Sequence, residues 1–243
     1  MDAQQYIDSI GVDSAGLRDA AVAADRSTTI AACPDWTVPD LVWHIGEVQH
    51  FWGTIVRDRM QDWKGYVEPS RPDTDEALFA FAADSAEQLV AALSGVDPAT
   101  PVYTWSAQKD AGFVIRRMAQ EVAVHRVDAE RAAGRDHRIE PGLASDGVDE
   151  FLEFFLSDVV KDAPPLDGSV HVHCTDVDGE WLVTTDADGA YVVTREHAKG
   201  DAAVRGAAHD LLMVLWRRDA LDTVEVIGDR SVAERLVART NLE

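Results

Sequence analysis

The chain has 243 residues, 46% of them hydrophobic, enough to bury a sizeable core in one large domain or two smaller ones. Twenty-two basic residues against 44 acidic ones leave a formal charge of −22, which opposes broad electrostatic contact with phosphate backbones or anionic lipid and argues against nucleic-acid or membrane partners. No apolar run reaches membrane-spanning length, MDAQQYIDSI lacks the pattern of a signal peptide, and Cys33 and Cys174 form neither a disulfide framework nor a metal knuckle, so a cytoplasmic protein with reduced thiols is expected.

In chain order, Tyr6, Ile10 and Leu17 mark a first helical stretch, which Gly11 and Gly16 weaken. The segment CPDWTVPDLVWHIGEVQHFWGTIVRDRM follows. Thr37 suits a helix cap, Pro39 the first turn, and Asp40 a capping-box position, so a second helix is expected from Val38 to about Met60. Leu78, Phe81, Leu89 and Leu93 define a third helix, and a fourth runs from about Phe113 to Ala133, stopped by Gly134. Four helices with ordinary connections are most simply packed as a four-helix bundle. A further helix from about Leu143 to Val160 carries Val148, Phe151, Leu152 and Phe155 and is broken at Asp162-Ala163-Pro164-Pro165. Beyond it SVHVHC, EWLVTT and ADGAYVVTRE read as an antiparallel meander, and AAHDLLMVLWRR, TVEVIG and SVAERLVART as helix, strand and helix. The expected fold is α+β, mainly α, with a helical bundle over 1–162 and a small α+β domain over 163–243.

The stretch QEVAVHR in the fourth helix poses a chemical question. Glu121 and His125 are four residues apart, so they project from one patch of the helix, and Met118 and Val122 place that patch toward the bundle interior. A carboxylate buried there requires compensation by a metal, an arginine or a hydrogen-bond network. His44, flanked by Leu41, Val48 and Phe51 at helical spacing, puts a second imidazole near a packed face. Two histidines and one carboxylate match the ligand set of a catalytic zinc site with an open fourth position. Glu47, one turn after His44, competes as a ligand, whereas His50 is expected to face solvent. Asp128, three residues after His125, either braces that imidazole or lies on an exposed face, and Arg116 and Arg117 are read as balancing the acidic surplus.

These residues carry a family resemblance. CPDWTVPDLVWHIGEV resembles the stretch that opens the second helix of mycothiol-dependent maleylpyruvate isomerase-like proteins, members of the DinB-like superfamily, and EVAVHRVDAERAAG resembles their fourth-helix motif. LASDGVDEFL and VRGAAHDLLMVLWRRD extend the likeness into a C-terminal domain similar to sterol carrier proteins. The resemblance implies a DinB-like bundle that binds a divalent metal, usually zinc, through His44, Glu121 and His125. It also implies a small-molecule thiol partner, mycothiol, the low-molecular-weight thiol of actinobacteria, and an electrophilic substrate. In the implied isomerase reaction the thiolate adds to a cis double bond, the new single bond rotates, and elimination follows; in related S-transferases the adduct is the product. A third reading is a non-catalytic, metal-stabilised protein that binds a ligand or partner. A dicarboxylate substrate calls for arginine, and Arg218, which matches the arginine closing the C-terminal motif, is the first catalytic candidate, ahead of Arg217 and Arg71. Cys33, beside Trp36, reads as a small packed residue. Cys174 shares one strand face with Val170 and Val172, leaving His171 and His173 on the opposite, half-exposed face.

Overall fold

Each long helix of the N-terminal half begins at a side-chain cap. Asp2 accepts from the Gln5 amide at 2.9 Å, Thr74 from Ala77 at 3.3 Å, and Asp110 from Phe113 at 3.1 Å. At Thr37 the Asp40 carboxylate accepts from both the Thr37 amide (2.8 Å) and hydroxyl (2.6 Å). The computed structural model describes residues 1–157, 163 and 165–240. Its elements are α1 (Ala3–Ala23), a short hairpin of β1 (Thr29–Ile30) and β2 (Cys33–Thr37), then α2 (Val38–Arg57), α3 (Asp75–Ser94) and α4 (Ala111–Ala132). The hairpin is absent from the sequence reading, which carried CPDWT as a plain approach to the second helix. Gly134, at φ 70°, closes α4 as expected.

The four helices form a bundle in which α1 packs on α4 and α3, and α2 on α3 and α4. The glycines that weaken a helical reading are used for close approach. A Cβ at Gly16 would fall 2.4 Å from the Arg126 guanidinium, which reaches across from α4 to pair with Asp13 at 2.8 Å. Gly46 and Gly53 similarly let α2 approach the backbone of α3 at Ala82 and Leu89. By length and composition alone α3 could cross a bilayer, contrary to the sequence reading. It carries Asp84 and Glu87 and buries Leu78, Ala82, Ala86, Leu89 and Leu93 in this bundle.

The chain divides into two compact units, Met1–Arg138 and Ile139–Glu243, so the junction lies upstream of the expected 162/163 boundary. The cause is α5 (Pro141–Glu150). Its residues Leu143, Ala144 and Val148, with Phe151 and Leu152 in the π-helical turn that follows (Phe151–Phe155), are buried in the second unit, where α5 packs on α6 (Ala208–Leu215). The Ile139 amide also donates to His209 Nδ1 on α6 at 3.0 Å. The expected extension to Val160 and most of the Asp162–Pro165 break lie outside the described residues.

The second unit contains a five-stranded sheet in the order β5-β4-β3-β6-β7, built from β3 (Val170–Cys174), β4 (Glu180–Thr185), β5 (Tyr191–Thr194), β6 (Ala202–Gly206) and β7 (Glu225–Gly228). β3, β4 and β5 make the expected antiparallel meander, but β6 pairs with β3 in parallel. AAVRG has too few β-formers to stand out alone, and its pairing is set by the sheet. One face, with Val170, Val172, Cys174, Trp181, Val183 and Val204, is buried. Trp181 Nε1 donates to Asp149 of α5 at 2.7 Å, and α7 (Arg230–Arg239) packs on β3 and β6. His171 and His173 lie on the opposite face, as alternation requires.

Candidate metal centre

The N-terminal site is assembled by two helices and the hairpin. The cap at Thr37 starts α2 so that His44 lies two turns in, and the Asp110 cap starts α4 about three turns ahead of Glu121 and four ahead of His125. Glu121 Oε1 lies 3.1 Å from His44 Nε2 and 3.4 Å from His125 Nε2. One donor atom from each of the three residues can be chosen so that all lie within 4.8 Å of one another. In a tetrahedral site with metal–ligand bonds of about 2.0–2.1 Å, ligand atoms sit about 3.3 Å apart, so both separations fit such a polyhedron. The donor set, two imidazoles and a carboxylate, suits a borderline divalent ion.

The atoms not facing the centre are engaged elsewhere. Arg117 Nη2 donates to Glu121 Oε2 at 3.0 Å, and Asp128 Oδ2 accepts from His125 Nδ1 at 2.9 Å. A carboxylate can only accept, so the second contact puts a proton on Nδ1 and turns Nε2 toward the centre, where it would be the atom to bind an ion. Trp36, on β2, lies over both imidazoles, with ring centroids 4.7 Å from His44 and 6.2 Å from His125. Burial pushes the Glu121 carboxyl up, but hydrogen bonds from His125 and His44 and the Arg117 charge outweigh it and hold the group well below the ordinary carboxylate range. Burial likewise pushes His125 down, and the Asp128 and Glu121 carboxylates overcome that, raising it.

The sequence-predicted triad is therefore brought together, and Asp128 is a buried brace, its side chain 2% exposed. Arg117 was missed as a partner: read as surplus charge, it is buried and is the arginine alternative that the Glu121 question had raised. Its position one turn before Glu121 was the available signal. Glu47 does not join the cluster. Burial and then a hydrogen bond with Glu68 raise its carboxyl instead. His50, expected in solvent, is half-buried and lies with Nδ1 2.8 Å from the Tyr66 hydroxyl, whose pKa burial and then Glu47 push up to about 12. Cys33 is half-buried and packs against the bundle core, in line with its reading as a packed residue. Arg71 is paired with Asp40 at 2.6 Å. In the second unit, Arg218 follows α6 and donates to the Trp216 carbonyl at 3.1 Å, while Arg217, at φ 54°, donates to the Thr240 carbonyl.

The N-terminal domain model of mycothiol maleylpyruvate isomerase matches residues 8–130, and the C-terminal domain model of the same family matches residues 142–235. Two solved structures share the fold: a mycothiol-dependent maleylpyruvate isomerase, with TM-score 0.61, and a histidine-to-alanine variant under the same name, with TM-score 0.62. Each is 11% identical to this chain, with 93% of both chains covered. No curated protein matches the sequence. The two domain matches together span most of the chain, which therefore belongs to the mycothiol maleylpyruvate isomerase family.

Proposed function

We propose that this protein is a metal- and mycothiol-dependent enzyme whose centre is His44, Glu121 and His125, with zinc as the ion and a cis–trans isomerisation of maleylpyruvate type as the reaction. The observation that carries this reading is the convergence of three donor atoms from α2 and α4, with the carboxylate oxygen 3.1 and 3.4 Å from the two imidazoles. The bound cation would supply Lewis-acid activation, making a thiol available as thiolate at neutral pH. The chain's own residues hold the centre ready. Asp128 keeps the His125 proton on Nδ1, Arg117 fixes the second Glu121 oxygen, and Trp36 shields one side of both imidazoles from water. A nucleophile supplied by a small-molecule thiol also accounts for the passive role of the protein's cysteines: Cys33 is packed, and Cys174 is buried in the second unit. We assign Arg218 to recognition of a substrate carboxylate, for which a planar guanidinium provides two parallel donors.

The test is metal content together with turnover of maleylpyruvate, or of a halogenated bimane, in the presence of mycothiol. His125→Ala should abolish bound metal at this centre and lower thiol-dependent turnover on the order of a thousandfold, the scale of losing several kcal/mol of charge stabilisation. Full turnover by a variant with no metal at this centre would overturn the reading. Turnover of the bimane but not maleylpyruvate would replace isomerisation by S-transfer at the same centre. Arg218→Ala should raise KM for the dicarboxylate and leave the bimane reaction unchanged.

A further inference from the structure

The outer face of the sheet in the second unit holds another group of metal-ligating side chains, which the reaction proposed above does not use. His171 and His173 stand two residues apart on β3, so both project from the same face, and Glu180 of β4 is the direct cross-strand partner of His173. His197, from the connection between β5 and β6, completes the set. Glu180 Oε1 lies 2.7 Å from His173 Nδ1, and its Oε2 lies 2.6 Å from His197 Nδ1 and 3.5 Å from His171 Nε2. One donor atom from each of the four residues can be chosen so that all lie within 4.8 Å of one another.

Two features separate this group from an ordinary cage of hydrogen-bonded histidines. First, His171 Nε2 and His173 Nδ1 are buried and make no hydrogen bond, although Glu180 oxygens lie 3.5 and 2.7 Å away. The His171 side chain is only 9% exposed, so its Nε2 is withdrawn from water with Glu180, 3.5 Å away, as its neighbour. Second, one carboxylate faces three imidazoles. Three imidazoles around one carboxylate, drawn from two strands and a connection, make a donor set of the kind that holds a divalent ion. An ion held among the four groups would give these buried nitrogens a partner.

We propose that His171, His173, Glu180 and His197 form a second site for one borderline divalent cation of the zinc, copper or nickel class, clipping the β5–β6 connection to the sheet. Three imidazoles with one carboxylate favour such ions over calcium or magnesium, which prefer oxygen ligands. The net charge of −22 draws cations toward the protein. A hollow of about 300 Å³ lies beside the cluster, lined by His171, His197, Lys199 and Asp201, with room for water to complete the coordination shell.

The experiment is calorimetric titration of the chelator-stripped full chain with zinc chloride, in the His125→Ala background so that the bundle centre does not contribute. One equivalent should bind. His197→Ala should weaken that binding at least tenfold, the lower limit of what losing even a supporting group costs. The 81% exposed side chain of His197 makes this variant harmless to the fold, and adding His173→Ala should remove binding altogether. If His125→Ala protein binds no zinc, or binds it equally well after both substitutions, the second site does not exist. If zinc binding in the unsubstituted chain is unaffected by His125→Ala but lost with His173→Ala, the sheet site stands and the bundle centre fails.

Discussion

The two histidine–carboxylate clusters of this protein are chemically alike and physically different. In the bundle, Glu121 and His125 project from successive turns of one helix, and the atoms facing away from the centre are tied to Arg117 and Asp128. On the sheet, Glu180 stands among three imidazoles of which two nitrogens have no hydrogen-bond partner, and His197 is almost fully exposed on a connection between strands. The first arrangement holds its donor atoms in place by packing and hydrogen bonds whether or not an ion is present. The second draws these contacts from within the cluster, with Glu180 facing all three imidazoles. Orientation of the ligands by their neighbours therefore separates a centre suited to catalysis from one suited to clipping a loop.

The sharpest way to break this contrast is to remove the bundle's bracing while keeping its ligands. Asp128→Ala frees the His125 ring and should lower zinc affinity roughly 10- to 100-fold, read by competition with a chromophoric chelator. Unchanged affinity would place the bundle cluster in the same loosely organised class as the sheet. Arg117→Met leaves a Glu121 oxygen without its donor and should destabilise the metal-free protein by about 2 kcal/mol in urea unfolding, less than for a fully buried pair because Glu121 is 20% exposed.

A smaller effect probes how α4 is held. Gly16→Ala would push a methyl into the Arg126 guanidinium and disrupt its pairing with Asp13, for a net loss of about 1 kcal/mol despite the better helix propensity of alanine. Gly11→Ala, with nothing within 4 Å of the added carbon, should instead stabilise by about 0.5–1 kcal/mol. Equal effects at the two positions would remove the account of Gly16.

A pH-dependent effect tests the closed side of β3 against its open side. Burial pushes the Cys174 thiol up to about 11 from 9. The unfolded chain then loses this proton first, so stability should fall as pH rises from 9 toward 11. Cys174→Ala should flatten the slope of unfolding free energy against pH in that window. An unchanged slope would mean that the inner face admits water.

Much of the architecture was readable along the chain because its signals are local. Caps at Thr37 and Asp110, the stop at Gly134, and the i,i+4 spacing of Glu121 and His125 depend only on neighbours within a few residues. The likeness of several separated motifs to one family joined His44 to that pair across 77 residues of sequence. Alternation along VHVHC likewise placed the two histidines and the cysteine on opposite faces.

What only the tertiary structure decided are matters of partnership. Sequence could not tell whether Asp128 lay exposed or braced a ligand, and spacing alone only hinted that Arg117 turned inward, because both depend on what packs over α4. It placed α5 with the bundle, since an amphipathic helix announces that it has a buried face and not which core will receive it. It also missed the β6 strand, whose parallel pairing with β3 is a long-range hydrogen-bond choice with little trace in AAVRG. Local spacing determines which side chains share a face, and only the folded chain determines what that face meets.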